Sequence, residues 1–243
     1  MALKKKVEKL LRHYPPLFKL GSKIYHKMNP SFKSLSPGAP GAVKKAFKLA
    51  LEVHGGKAIG DYYEFGLYKG HSFFSAYEAA QELGLTDTRF FGFDSFQGLP
   101  PVEDLDKTGG IFFEGQFAYT REKVEKNLRK NGVDFDKVRL IEGFFEDTLN
   151  EELKKTLSSG YAGIIMMDCD LYSSTRTALN WLEGLIGDKT IVIFDDWYSY
   201  SEGDQLGQQR ALKEFKQINK HLVFESKFEY DGAGKVFLVK EKT

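Results

Sequence analysis

With 243 residues, 42% of them hydrophobic and 14% aromatic, the chain can bury one sizeable core, so one domain plus an extension is expected. No apolar run approaches the roughly 18 residues of a membrane span, and the start, Met1-Ala-Leu-Lys-Lys-Lys-Val7, lacks the apolar stretch of a secretory signal. A single cysteine, Cys169, cannot form an internal disulfide, so a reducing, cytoplasmic setting is expected, and no nucleic-acid partner.

The net charge of +1 is unevenly spread. Residues 1–60 hold thirteen Lys/Arg against Glu8 and Glu52, a net +11, and the remainder carries −10. Leu3, Val7, Leu10 and Leu11 share one helical stripe ringed by lysines, and Pro15-Pro16 breaks that helix. A basic amphipathic segment of this kind either touches an anionic membrane surface or packs as a solvated arm on its own domain or on a second copy in a homo-oligomer. The punctuation Ser36-Pro-Gly-Ala-Pro-Gly41 separates a basic arm, 1–40, from a domain spanning 41–243.

Within that domain helices and strands alternate. Helices are expected at Ala42–Val53, Ser72–Leu83, Phe117–Lys130, Glu146–Leu157, Ser174–Leu185 and Gln208–Asn219. Between them come strands at Asp61–Phe65, Arg89–Phe93, Lys137–Ile141, Ala162–Met167 and Thr190–Phe194. Five strands spaced by helices argue for a parallel, doubly wound α/β sheet. Two last strands, His221–Phe228 and Lys235–Lys240, are joined only by Asp231-Gly-Ala-Gly234 and must be antiparallel. A seven-stranded, mostly parallel sheet closed by an antiparallel hairpin resembles the Rossmann-like fold of the class I S-adenosylmethionine methyltransferases.

In an open α/β sheet, ligands bind beyond the carboxyl ends of the strands. Acids concentrate there: Asp168 and Asp170 follow the fourth strand, and Asp195-Asp196 the fifth. Four acids at two neighbouring strand ends suit a metal site better than a core. The alternative for Asp168 and Asp170 is capping of the next helix, and for Asp195-Asp196 a turn. Asp170, two residues beyond Asp168 in a chain expected to be still extended, would turn its side chain into the same crevice.

The first strand runs through Glu64-Phe65-Gly66-Leu67-Tyr68-Lys69-Gly70-His71-Ser72 into a helix. Gly66 and Gly70 permit a tight turn and close backbone approach, but Leu67-Tyr68 breaks the G-x-G-x-x-G pattern, which disfavours NAD. A ligand with a carboxylate and a sulfonium fits better: the helix end, His71 and Ser72 would meet the carboxylate, and Glu64 would lie near the cation. Asp94 and Ser95, at the end of the second strand, are candidates for ribose contact or for a turn cap. Gly143-Phe144 would wall the adenine, while Glu146 and Asp147 serve equally as first-turn helix acids.

Three stretches in order, Phe93-Asp-Ser-Phe-Gln-Gly-Leu-Pro100, Met167-Asp-Cys-Asp-Leu-Tyr-Ser-Ser-Thr175 and Asp195-Asp196, resemble the macrocin O-methyltransferase family, whose members methylate sugar hydroxyls with a metal ion. The resemblance spans about Tyr62 to Phe215. It implies S-adenosyl-L-methionine as cofactor, Mg²⁺ held by Asp168, Asp195 and Asp196, and Asp170 as the base, with a glycan or small-molecule acceptor. A metal-independent or catechol-type enzyme, and a cofactor-binding subunit without catalysis, stay open as alternatives. The loop Trp197–Gly207 is longer and more aromatic than the family leads one to expect and would sit over the crevice, which leaves open whether it is a substrate lid.

Overall fold

A computed structural model describes residues 36–102, 105–107, 112–157, 161–200 and 203–242. The apolar stripe expected of the basic arm lies outside these residues, as does the rest of the arm as far as position 35. Seven helices are described: α1 (Ala39–Val53), α2 (His71–Glu82), α3 (Arg121–Lys130), α4 (Phe145–Thr148), α5 (Glu151–Leu157), α6 (Tyr172–Trp181) and α7 (Gly207–Ile218). The strands are β1 (Asp61–Phe65), β2 (Phe90–Asp94), β3 (Val138–Glu142), β4 (Ala162–Met167), β5 (Ile191–Phe194), β6 (Leu222–Tyr230) and β7 (Gly234–Glu241).

They form one seven-stranded sheet in the order β3-β2-β1-β4-β5-β7-β6. The first five strands run parallel, and β7 pairs antiparallel with both β5 and β6. Strand side chains alternate between faces. Tyr62, Ile164 and Ile193 therefore join the core under α1, α2 and α3. Their neighbours Tyr63, Ile165 and Val192 join the core under α5, α6 and α7. Central strands buried on both faces explain the unbroken apolar run Ala162–Met167.

Several boundaries differ from the sequence expectation, each for a local reason. α1 starts at Ala39, so the expected break at 40/41 falls inside its first turn; Pro40 has no N–H to lose there. α3 starts at Arg121 instead of Phe117, because Phe117 adopts φ +63°, a left-handed conformation that no helix continues. The helix expected at 146–157 is two, α4 and α5, and Asn150 between them accepts the Leu153 N–H at 2.9 Å. α6 spans Tyr172–Trp181, starting two residues before the expected Ser174 and stopping short of Leu185.

At the carboxyl edge each loop is tied to the neighbouring strand by a backbone hydrogen bond. Gly143 N–H donates to the Asp94 carbonyl (3.0 Å), Gly66 to Phe93 (2.8 Å), Asp168 to Phe65 (2.9 Å) and Asp195 to Met167 (3.0 Å). This row holds every loop that carries a candidate site residue in register with the next.

Gly66 sits where the β1 loop passes β4. Its φ is +91°, and a Cβ there would lie 1.8 Å from the Asp168 carbonyl oxygen. Gly66→Ala must therefore push two backbones apart at a disfavoured φ, and is expected to cost about 2–4 kcal/mol. Gly132 also has positive φ, +83°, but nothing lies within 4 Å of an added Cβ. Gly132→Ala should cost only about 1–2 kcal/mol. Thermal melts of the two variants check the contrast, with Gly66→Ala expected to melt well below Gly132→Ala.

Candidate active site

Asp168 at the end of β4 and Asp195-Asp196 at the end of β5 converge: one carboxylate oxygen from each lies within 4.8 Å of the others. Their supports differ. Asp195 is buried, and its Oδ1 accepts the Tyr230 hydroxyl at 2.7 Å. Asp196 donates its backbone N–H to Gln208 Oε1 at 3.0 Å and accepts the Ser199 hydroxyl on Oδ1 at 2.9 Å. Its other oxygen, Oδ2, is buried with no hydrogen-bond partner.

Such a set resists full ionisation. Burial raises the pKa of Asp168 well above the carboxylate range, and the neighbouring charges of Asp195, Asp196 and Asp170 raise it further. Burial and then Asp195 push Asp196 to about 7. Burial also raises Asp195, against the lowering effect of the Tyr230 hydroxyl. Hard oxygen donors, mutual repulsion and an orphaned buried oxygen are what a Mg²⁺-sized cation would satisfy. The three residues fit such an ion.

Asp170 reaches this cluster by a route that the sequence did not suggest. The chain is not extended there: Asp170 has φ +61°, and the Leu171 N–H turns back to the Cys169 carbonyl at 2.6 Å. The left-handed turn still leaves Asp170 facing the acids. Burial raises its pKa well above the ordinary value, followed by the charges of Asp196, Asp195 and Asp94.

Capping does not explain Asp168 or Asp170, because another acid does that work. Asp106, 2% exposed, accepts the backbone N–H groups of Tyr172 (2.6 Å) and Ser173 (3.1 Å) at the start of α6, and the Ser173 hydroxyl (2.8 Å). This remote cap draws α6 to begin at Tyr172. Asp106 also accepts the Tyr200 hydroxyl at 3.4 Å, and the Tyr200 ring lies 5.9 Å from that of Phe112. The loops following β2 and β5 thus meet through Asp106, Phe112 and Tyr200. Nothing in the local sequence marked Asp106, because its partners lie 66 and 67 residues away.

Around β1 the expected residues gather, with some roles exchanged. Glu64 is fully buried and accepts the Ser72 hydroxyl at 2.6 Å and the Tyr62 hydroxyl. Ser72 therefore holds Glu64, where it was expected to meet a ligand carboxylate. Burial pushes Glu64 up to about 8 despite both hydrogen bonds. Gly70, with φ +81°, is the N-cap of α2, and His71 is its first residue. Burial lowers the His71 pKa.

Asp94 is a loop clamp. Its Oδ2 accepts the N–H groups of Leu67 (2.7 Å) and Tyr68 (3.1 Å), and Oδ1 that of Phe96 (2.7 Å). Four acceptor positions on a carboxylate leave room for one more donor, such as a ribose hydroxyl. Ser95 closes the adjoining turn by donating to the Gly98 carbonyl at 2.7 Å. Gly143 has φ +135°, and the half-buried Phe144 is the N-cap of α4. Among the residues outside the expected set, Tyr230, Gln208 and Ser199 hold the acids; they come from β6, α7 and the loop after β5.

Residues 44–231 match the macrocin-O-methyltransferase (TylF) family. The chain belongs to that family. It is similar to 8-demethyl-8-(2,3-dimethoxy-alpha-L-rhamnosyl)-tetracenomycin-C 4'-O-methyltransferase of Streptomyces olivaceus, 32% identical over 143 residues, covering 57% of this chain and 53% of that protein. Demethyldecarbamoylnovobiocin O-methyltransferase of Streptomyces niveus is 28% identical over 151 residues, covering 60% of this chain and 56% of the relative. The matched region spans about half the length of these curated relatives. Among solved structures, the O-methyltransferase NovP superposes with a TM-score of 0.67 at 23% identity, covering 83% of this chain and 80% of that one. Calicheamicin methyltransferase CalS11 follows at 0.65 and 21%, covering 82% and 77%. These likenesses show the fold, that of the class I O-methyltransferases.

The buried acids of this family member link stability to pH. Glu64 and Asp196 keep protons in the folded state, at pKa values of about 8 and about 7, that the unfolded chain releases near 4.5 and 3.8. The folded state binds more protons throughout that window, so stability must fall as pH rises, by up to about 1.4 kcal/mol for each unit of upward shift in a group. The Tm of metal-free protein is expected to drop by several degrees between about pH 5.5 and about pH 8.5, and excess Mg²⁺ should remove much of that slope. Scanning calorimetry with and without chelator checks it; a Tm that stays level or climbs without metal contradicts the assignment.

Proposed function

We propose that this chain is an S-adenosylmethionine-dependent O-methyltransferase that requires Mg²⁺ and methylates a sugar hydroxyl of a glycoside, polysaccharide or glycolipid. One observation carries the reading: three carboxylates converge within 4.8 Å, one with an unpartnered oxygen, and Asp170 stands beside them. Membership of the family supports methyl transfer. The rhamnosyl group in the name of the Streptomyces olivaceus relative supports a sugar acceptor.

Asp168, Asp195 and Asp196 would hold the ion, which when bound offsets their mutual repulsion and acidifies an acceptor hydroxyl. Glu64, buried at the floor of the β1 loop, offers a carboxylate for the positive end of the cofactor, and a cation there lowers its raised pKa. Asp94 holds the loop after β1, through Leu67 and Tyr68, where that cofactor would bind. Asp170 is the proton acceptor. When bound, S-adenosylmethionine would supply the methyl group to the acceptor oxygen and keep the electron pair of the broken methyl–sulfur bond as a neutral thioether, and Asp170 would take the hydroxyl proton. A raised pKa makes Asp170 a stronger base than an ordinary carboxylate. Holding oxygen, carbon and sulfur in line supplies much of the remaining acceleration.

Asp170→Asn tests the proton transfer. It is expected to lower kcat by roughly 10²–10⁴-fold while S-adenosylhomocysteine still binds with near-wild-type affinity. Asp168→Asn and Asp196→Asn should lose Mg²⁺ binding and turnover together, and chelation should abolish activity that added Mg²⁺ restores. Assays use a panel of glycosides beside a catechol. Full turnover after exhaustive metal removal would reject the metal reading, and turnover of the catechol alone would reject the sugar acceptor. Calorimetric titration should show S-adenosylhomocysteine binding and no NAD binding.

A further inference from the structure

The two strand ends that carry the acids are joined by one side chain whose role the mechanism has not used. Gln208, 1% exposed, lies in the first turn of α7, forty-one residues from Met167 and twelve from Asp196. Its two amide ends are both engaged. Oε1 accepts the Asp196 backbone N–H at 3.0 Å, and Nε2 donates to the Met167 carbonyl at 3.1 Å. Met167 directly precedes Asp168, and its carbonyl also accepts the Asp195 N–H at 3.0 Å. One amide therefore spans the backbone beneath all three acids.

We infer that Gln208 is a positioning residue that sets the spacing of Asp168, Asp195 and Asp196, and so their affinity for a divalent cation. This rests on the metal reading above. Asp196 shows why the bridge matters. Its N–H is taken by Gln208 and its Oδ1 by Ser199, which fixes the carboxylate and leaves Oδ2 without a partner. A carboxylate held by Ser199, on a backbone anchored by Gln208, presents that oxygen at a fixed place; one freed of its backbone anchor can turn away and relieve its repulsion with Asp195. One oxygen from each of the three carboxylates lies within 4.8 Å of the others, so ionised acids here repel one another. Amide chemistry suits the task because a single planar group offers an acceptor and a donor at opposite edges. A glutamate would lose the donor, and an aliphatic residue both.

Mn²⁺ binding, read by electron paramagnetic resonance of the free ion in a titration, tests the inference without an activity assay. Gln208→Met fills the same volume without either hydrogen bond, and Gln208→Asn keeps an amide one methylene too short to span both partners. Each is expected to weaken Mn²⁺ binding about 10–100-fold, the usual effect of losing a group that orients metal ligands. S-adenosylhomocysteine affinity should change less than about threefold, since Gln208 makes none of the hydrogen bonds around Glu64 or Asp94. Should Gln208→Met fail to fold, Gln208→Asn carries the test. A side chain that merely tacks α7 to the sheet predicts a lower Tm with wild-type Mn²⁺ affinity, and that result in either folded variant overturns the inference. Wild-type protein that binds no Mn²⁺, in line with Asp196→Asn, overturns the metal reading and this inference with it.

Discussion

Four carboxylates share one crevice at the carboxyl ends of β4 and β5, and the rest of the molecule is arranged around that repulsion. Burial raises the pKa of each, and neighbouring carboxylate charges raise it further, while the Tyr230 and Ser199 hydroxyls pull Asp195 and Asp196 back down. Such a cluster exists only where the chain cannot relax away from it. A row of backbone hydrogen bonds from β3 across to β5 removes that freedom, since the loop after each strand is tied to its neighbour. Strain follows the same line: Gly66, Asp170 and Gly143 all adopt positive φ at these loops. Glycine meets the demand at two of those positions, and an aspartate meets it at the third, where its side chain is needed.

Around the acids stand groups that point, hold or cap. Tyr230 from β6 meets Asp195, Ser199 meets Asp196, and Gln208 from α7 ties Asp196 to Met167. Asp106 works one step further out. By capping α6 and taking the Tyr200 hydroxyl, it couples the loop after β2 to the loop after β5. Its carboxylate oxygens accept two backbone N–H groups at the start of α6 and the hydroxyls of Ser173 and Tyr200. The same residue type is thus satisfied by backbone donors at Asp106 and Asp94, and left to repel its neighbours at Asp168 and Asp196. Whether an acid can hold a metal depends on how many donors already surround it.

Much of this was legible in the sequence because its cause is local. Alternating helix and strand signals marked all seven strands, and the turn Asp231–Gly234 made the last pair antiparallel. The acids of β4 and β5 were readable because strand ends are where a parallel sheet opens to ligand. Misplaced boundaries have equally local causes that composition hides: a left-handed Phe117, a cap at Asn150, and a proline tolerated in the first turn of α1.

By itself the sequence determined the class of fold, the order of the strands along the chain, and which acids stand at strand ends, since periodicity and punctuation act over a few residues. Tertiary structure alone decided which of those acids converge, and what each one touches. Asp94 became a clamp for the β1 loop, Ser72 a support for Glu64, and Asp106 a cap for a helix 66 residues away. Partners so far apart meet only when crossovers bring strand ends side by side, and a carboxylate's charge is set by the donors it finds there.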